Sequence, residues 1–135
     1  MDLQKAMAVA AAGMKAQGVR MRVIAENIAN QNSESTQPGV DPYRRKRVIF
    51  KNVLDRALGV ERVKVSKVAL DASAFGERYD PGHPGADERG FVKTTNVQGM
   101  IEAMDLQQAQ RSYQANLNTV EAAKSMMVRT LDLLR

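Results

Sequence analysis

Hydrophobic positions over the first 31 residues recur at alternating steps of three and four. Met7, Met14, Met21 and Ile28 share one heptad position, and Leu3, Ala10, Gln17, Ile24 and Gln31 share the other. Seven of these nine are apolar, the spacing of a helix that packs lengthwise on another. Asp2 stands where it can cap the start; Asn30, Asn32, Ser33 and Ser35, whose side chains compete for backbone groups, mark the end. Gly13 and Gly18 fall inside the helix at about 1 kcal/mol each relative to Ala, so it is expected to depend on partners.

The other end of the chain repeats the pattern. Leu106, Tyr113, Val120, Met127 and Leu134 fill one column, and Ala103, Gln110, Leu117, Lys124 and Leu131 the second. Thr95 with Gln98 three residues on fits a capping box and predicts the helix start. At ~1.5 Å per residue the two helices would be roughly 43 and 57 Å long, against a diameter of roughly 37 Å for a compact chain of this size. They can lie side by side, yet Val9, Ala11, Ala12, Met100 and Met126 fall outside the seam. Other chains are expected to cover that surface.

Between the helices the period changes. "YRRKRVIF" reads as a strand, "KNVLDRALG" as a turn or helical turn closed by Gly59, "VKVSKVAL" as a second strand and "FVKT" as a third. Val63 and Val65 are out of phase with Val68 and Leu70, which predicts a bulge or break near Ser66–Lys67. The predicted fold is therefore mainly α with a small inserted β module, the long terminal helices pairing as an antiparallel, coiled-coil-like hairpin. Residues 1–33 form the N-terminal helix, 34–94 the β and turn module, and 95–135 the C-terminal helix.

Composition agrees with an incomplete core. Leu, Ile, Val and Phe number 30 of 135 residues, Ala alone 18, and Trp is absent; alanine buries little area. All eight methionines fall at positions 1–21 or 100–127, inside the predicted helices, where flexible thioethers suit unlike packing neighbours. Cysteine is absent, which removes disulfides and thiol chemistry. No apolar run approaches the ~20 residues that span a bilayer, and the acidic start "MDLQK" does not resemble a cleaved secretory leader.

Two stretches invite a chemical reading. The basic strip Arg44–Arg47 and the net charge of +5 suggest a nucleic-acid-binding alternative, although a solvated strand edge gives the same pattern. "YDPGHPGADERGFV" holds the one histidine, His83, with Asp80, Asp87 and Glu88. Asp80-Pro81-Gly82 and His83-Pro84-Gly85 match type II turns, and Asp87 to Gly90 a type I turn. These turns account for the segment without catalysis, metal or cofactor: a zinc site needs further nitrogen or sulfur ligands, and a catalytic histidine needs a nucleophile. No enzyme activity and no small-molecule substrate are expected.

"VIAENIANQNSES", "PYRRKRVIF", "DPGHPGADERGFVKTTNV" and the C-terminal "EAMDLQQAQRSYQANLNTVEAAKSMMVRTLDLL" together resemble the flagellar basal-body rod proteins, within that family the proximal rod branch. Glu26 and the long "SESTQPGVD" loop depart from relatives with Asn or a shorter loop there. The resemblance implies a subunit exported by the flagellar type III apparatus without a cleaved signal. It implies assembly in the periplasm, with copies of itself and other axial proteins, into the rod that transmits motor torque. Asn27, Asn30 and Asn116 flank the seams and are candidates for hydrogen bonds between helices or between subunits, helix-end and surface chemistry being the alternative.

Overall fold

The computed structural model describes residues 2–135; Met1, the first residue of the expected N-terminal segment, lies outside them. Helix α1 spans Leu3–Ala29 and helix α2 Gly99–Leu133, with four strands between them. Asp2 caps α1 as its position predicts, its Oδ1 accepting the Lys5 amide at 3.2 Å. At the other end the Asn30 side chain turns back on the Glu26 carbonyl, 2.9 Å away, and the helix stops.

Strand β1 (Lys46–Asp55) pairs with β2 (Val60–Leu70). The β1–β2 turn rests on Asp55, whose Oδ1 accepts the Ala57 and Leu58 amides and whose carbonyl accepts that of Gly59. Gly59 takes a φ of 65°, the left-handed region glycine reaches without a Cβ penalty. β1 therefore extends through "KNVLD", which the pattern read as turn: its exposed outer positions break the alternation but not the ladder. β2 is continuous through Ser66–Lys67, where a bulge or break was predicted.

A second sheet pairs β3 (Gly76–Tyr79) antiparallel to β4 (Phe91–Thr94), with Gly76 opposite Thr94 and Tyr79 opposite Phe91. The two rings meet edge to face at 5.4 Å, an arrangement aromatic quadrupoles favour. β3 was not predicted, because "GERY" is exposed at every position and carries no hydrophobic signal.

The chain forms two compact units. One comprises the chain up to Met21, Val48–Lys67 and Gln107–Arg135; the other comprises Arg22–Arg47 and Val68–Leu106. In the first, the most buried side chains are alanines: Ala10, Ala16, Ala109 and Ala123. Asn116 sits so near Gly13 that a Cβ there would meet its Nδ2 at 2.7 Å. Small residues here allow close backbone approach.

The alanine packing corrects the predicted second column of α2. Ala103, Gln110, Lys124 and Leu131 are exposed, and the buried column lies one position earlier, at Glu102, Ala109 and Ala123 with Asn116 half-buried. Leu134 is also exposed, at 79%. The pattern favours large apolar side chains, whereas this helix packs through small and polar ones. In the other predicted column, Leu106, Tyr113, Val120 and Met127 are half-buried, as is Leu117. On α1, Leu3, Met7, Met14, Met21 and Ile28 are half-buried and Ile24 is buried.

Candidate functional site

The second unit is organised around a buried carboxylate. Glu102, in the first turn of α2, is 0% exposed, as deeply placed as any aliphatic residue here. A buried charge is costly unless paired and hydrogen-bonded. Arg45, just ahead of β1, supplies the pair: its Nε donates to Glu102 Oε1. The other Glu102 oxygen accepts Asn27 Nδ2 at 3.2 Å from the last turns of α1.

Arg45 is itself held on all sides. Its remaining guanidinium nitrogens reach Asp71 at 3.0 Å and Asp105 at 3.4 Å. Its amide donates to Asn96 Oδ1 at 2.6 Å, and its carbonyl accepts the Asp71 amide at 2.8 Å. Burial opposes the guanidinium charge, but the hydrogen bonds and fields of Glu102 and Asp71 outweigh it and raise the Arg45 pKa. Asp71 is pushed below the ordinary carboxylate value, first by the Ser73 amide and then by Arg45.

Asn27, 1% exposed, joins three segments. Its Oδ1 accepts the Lys46 amide and the Tyr43 hydroxyl, both at 2.9 Å, while Nδ2 donates to the Lys46 carbonyl at 2.7 Å. Burial, and then the nearby Glu26 charge, raise the Tyr43 pKa. Thr95 lies buried with its hydroxyl on the Gln31 carbonyl. It is therefore not the cap of α2: the helix begins at Gly99, and the Gln98 carbonyl accepts the first backbone bond, from Glu102. The capping-box match fails because Thr95 is needed as a latch on the end of α1.

A buried Glu–Arg–Asn clasp with every partner engaged holds chain segments; it offers no nucleophile and no open coordination position. Among the described residues no group of three or more His, Cys, Asp or Glu could hold a metal. His83 Nδ1 accepts the Gly85 amide at 3.0 Å, and its Nε2 lies 3.7 Å from Glu34.

The turns around His83 stand where predicted but differ in type. The His83 amide bonds the Asp80 carbonyl and the Ala86 amide the His83 carbonyl. Gly82 and Gly85 are not among the positive-φ glycines, so neither turn is type II. Gly85 is required by space: a Cβ would lie 2.1 Å from the Ser35 carbonyl oxygen. Gly90, at φ 84°, closes the Asp87 turn, where Asp87 Oδ1 accepts the Arg89 and Phe91 amides.

The family model described as "Flagellar basal body rod FlgEFG protein C-terminal" matches residues 88–133, that is β4 and α2. The chain is 46% identical to the flagellar basal-body rod protein FlgC of Agrobacterium fabrum, over 98% of this chain and 96% of that one. The chain belongs to the FlgC family. It is 40% identical to FlgC of Salmonella typhimurium over 93% of this chain and 92% of that one. With FlgC of Borreliella burgdorferi it shares 34% over 100% and 99%.

In this FlgC-family chain the Arg44–Arg47 strip is largely consumed within the fold, which removes the basis of the nucleic-acid reading. Arg44 lies 4.1 Å over the Phe75 ring and donates to the Asp71 and Ser73 carbonyls. Arg45 is in the clasp, and Lys46 pairs with Glu26. Arg47 alone of the four is exposed, with no side-chain hydrogen bond, ion pair or ring contact among the described residues. Of the asparagine candidates, Asn27 reaches the other helix through Glu102; Asn30 and Asn116 bond carbonyls of their own helices. Sequence reasoning missed Glu102, Asp71 and Asn96, and placed Arg45 in the basic strip rather than in a clasp. Their signal is a charged or amide side chain on each of several distant segments, and only the fold brings them together.

Proposed function

We propose that the chain is a non-enzymatic structural subunit of the proximal flagellar rod, polymerising through its terminal helices with copies of itself and other axial proteins. The observation that carries this is the exposed apolar surface of α2. Met100, Met104, Leu131 and Leu134 are 77, 63, 63 and 79% exposed, with Met126 and Val128 half or nearly half exposed. Apolar surface repeated along ~52 Å of helix is what a buried interface needs.

In this reading α1 and α2 pair antiparallel as a helical domain, and residues 34–94 form the outward β and turn module. Side-chain proximities support the pairing: Gly13 with Asn116 and Arg20 with Gln108 in one unit, Asn27 with Glu102 and Gln31 with Gly99 in the other. As the α1 number rises, the α2 number falls. Family membership supports export by the flagellar type III apparatus without a cleaved leader and a final place in the periplasmic rod. No helix among the described residues is long and apolar enough to cross a membrane.

The test is Leu131→Asp combined with Leu134→Asp, set against His83→Gln. The double variant should remain soluble as a subunit yet be absent from isolated basal bodies, with motility lost; His83→Gln should swim. Normal rods containing the double variant would refute the assignment of α2 as an assembly surface.

A further inference from the structure

The charge of the chain is unequally shared. The unit with the hairpin tip carries 12 Lys and Arg against 5 Asp and Glu, a net +7, and the other carries 8 against 10, a net −2. The positive unit also holds an open groove of about 540 Å³ between one face of α1 and the β1–β2 hairpin. Its floor is Ala12, Ala16, Val53 and Val63, and Lys15, Arg62 and Lys64 stand along it with one acid, Asp55. Asp55 is already paired with Arg62 at 2.6 Å, which leaves Lys15 and Lys64 to set the sign of the rim.

Two apolar ridges of the same chain are exposed enough to fill such a groove. One is Leu131 and Leu134 at the end of α2; it lies in the positive unit, with Arg129 and Arg135 against one acid, Asp132, and would bring like charges together. The other is Met100 and Met104, one helical turn apart at the start of α2, in the net-negative unit, where the neighbouring Asp105 is already held by Arg45. Like charge across an interface is penalised and opposite charge steers association. Unbranched methionine fills an irregular trough of alanine and valine more readily than a branched side chain does.

We infer that the groove between α1 and the hairpin receives the Met100–Met104 ridge of a second copy of this chain. The contact joins different patches on the two copies, so it is heterologous and can propagate. It rests on the polymerising-subunit reading and specifies which surfaces meet.

Because the chain lacks cysteine, introduced thiols report the contact directly. Val53→Cys and Met104→Cys chains are co-expressed in the host, basal bodies are isolated and mildly oxidised, and dimers are read on a non-reducing gel. The mixture should give a dimer that neither variant gives alone. Val53→Cys with Leu131→Cys should give none, and adding Lys15→Glu should reduce the first product to background. Ala12→Cys with Met100→Cys repeats the test, should one variant fail to assemble. A dimer through Leu131→Cys, or assembled rods with no dimer from either Met pair, overturns the groove assignment and leaves the rod reading standing. Absence of the unmodified chain from isolated basal bodies would instead overturn the rod reading and the inference built on it.

Discussion

Replacing Asn27 by alanine tests the polar clasp most directly. The change removes four hydrogen bonds at a side chain that is 1% exposed: two to the Lys46 backbone, one from Tyr43 and one to Glu102. Glu102 keeps Arg45, and the half-buried Tyr43 hydroxyl can turn to water. The Lys46 amide and carbonyl both lose their Asn27 partner. At a net ~1 kcal/mol for each bond, and more for each buried group left unmet, the cost is about 3–5 kcal/mol. A tenfold change corresponds to ~1.4 kcal/mol, so the Lys46 amide should exchange with deuterium roughly two to three and a half orders of magnitude faster. The Gly90 amide, bonded to Asp87 in a separate turn, serves as the internal reference. Tyr43→Phe removes one of the four bonds and should cost ~1 kcal/mol. Asn27→Asp keeps the acceptor oxygen but sets a second carboxylate against Glu102, and should be no milder than alanine. Lys46 protection that falls less than ~tenfold in Asn27→Ala, with Gly90 unchanged, would mean water replaces Asn27 freely, and the clasp would not be what holds this unit.

Glycine substitutions separate space from conformation. Gly18→Ala, with nothing within 4 Å of the added methyl, should stabilise the free subunit by up to ~1 kcal/mol in urea unfolding, whereas Gly85→Ala, driven into the Ser35 carbonyl, should lose about 1–3 kcal/mol. The Asp71 and Asp87 pKa values are held below 3.8, chiefly by the Ser73 and Phe91 amides, so their contribution is intact above that pH and lost as pH falls through the folded values. Tyr43, raised above 10.0 by burial, contributes below pH 10 and loses its contribution as pH rises beyond it, so melting temperature against pH should show acid and alkaline declines outside those limits. Tyr43→Phe should remove part of the alkaline decline and leave the acid side alone.

What could be read in advance follows the size of the side chains involved. The Leu106, Tyr113, Val120 and Met127 column of α2 was legible because large apolar residues at heptad spacing dominate the pattern. Its neighbouring column was not, since Glu102, Ala109, Asn116 and Ala123 read as surface or filler. Glu102 becomes a buried residue only through Arg45, 57 positions away, and no local window contains both. The corner at Asp80–Gly90 was legible in place, from its Pro and Gly spacing. Its turn type was not, because Gly85 answers to the Ser35 carbonyl rather than to a left-handed φ.

The wide sequence separation of the clasp partners has a consequence for synthesis. Asn27 and Glu102 lie 75 positions apart, and the Arg45 side chain also reaches on to Asp105. A nascent chain still lacking its final third has made Asn27 and Arg45 but has nothing at that end to fasten them to. Asn27 and Arg45 therefore wait on Glu102, and the clasp can close only late in the making of the chain.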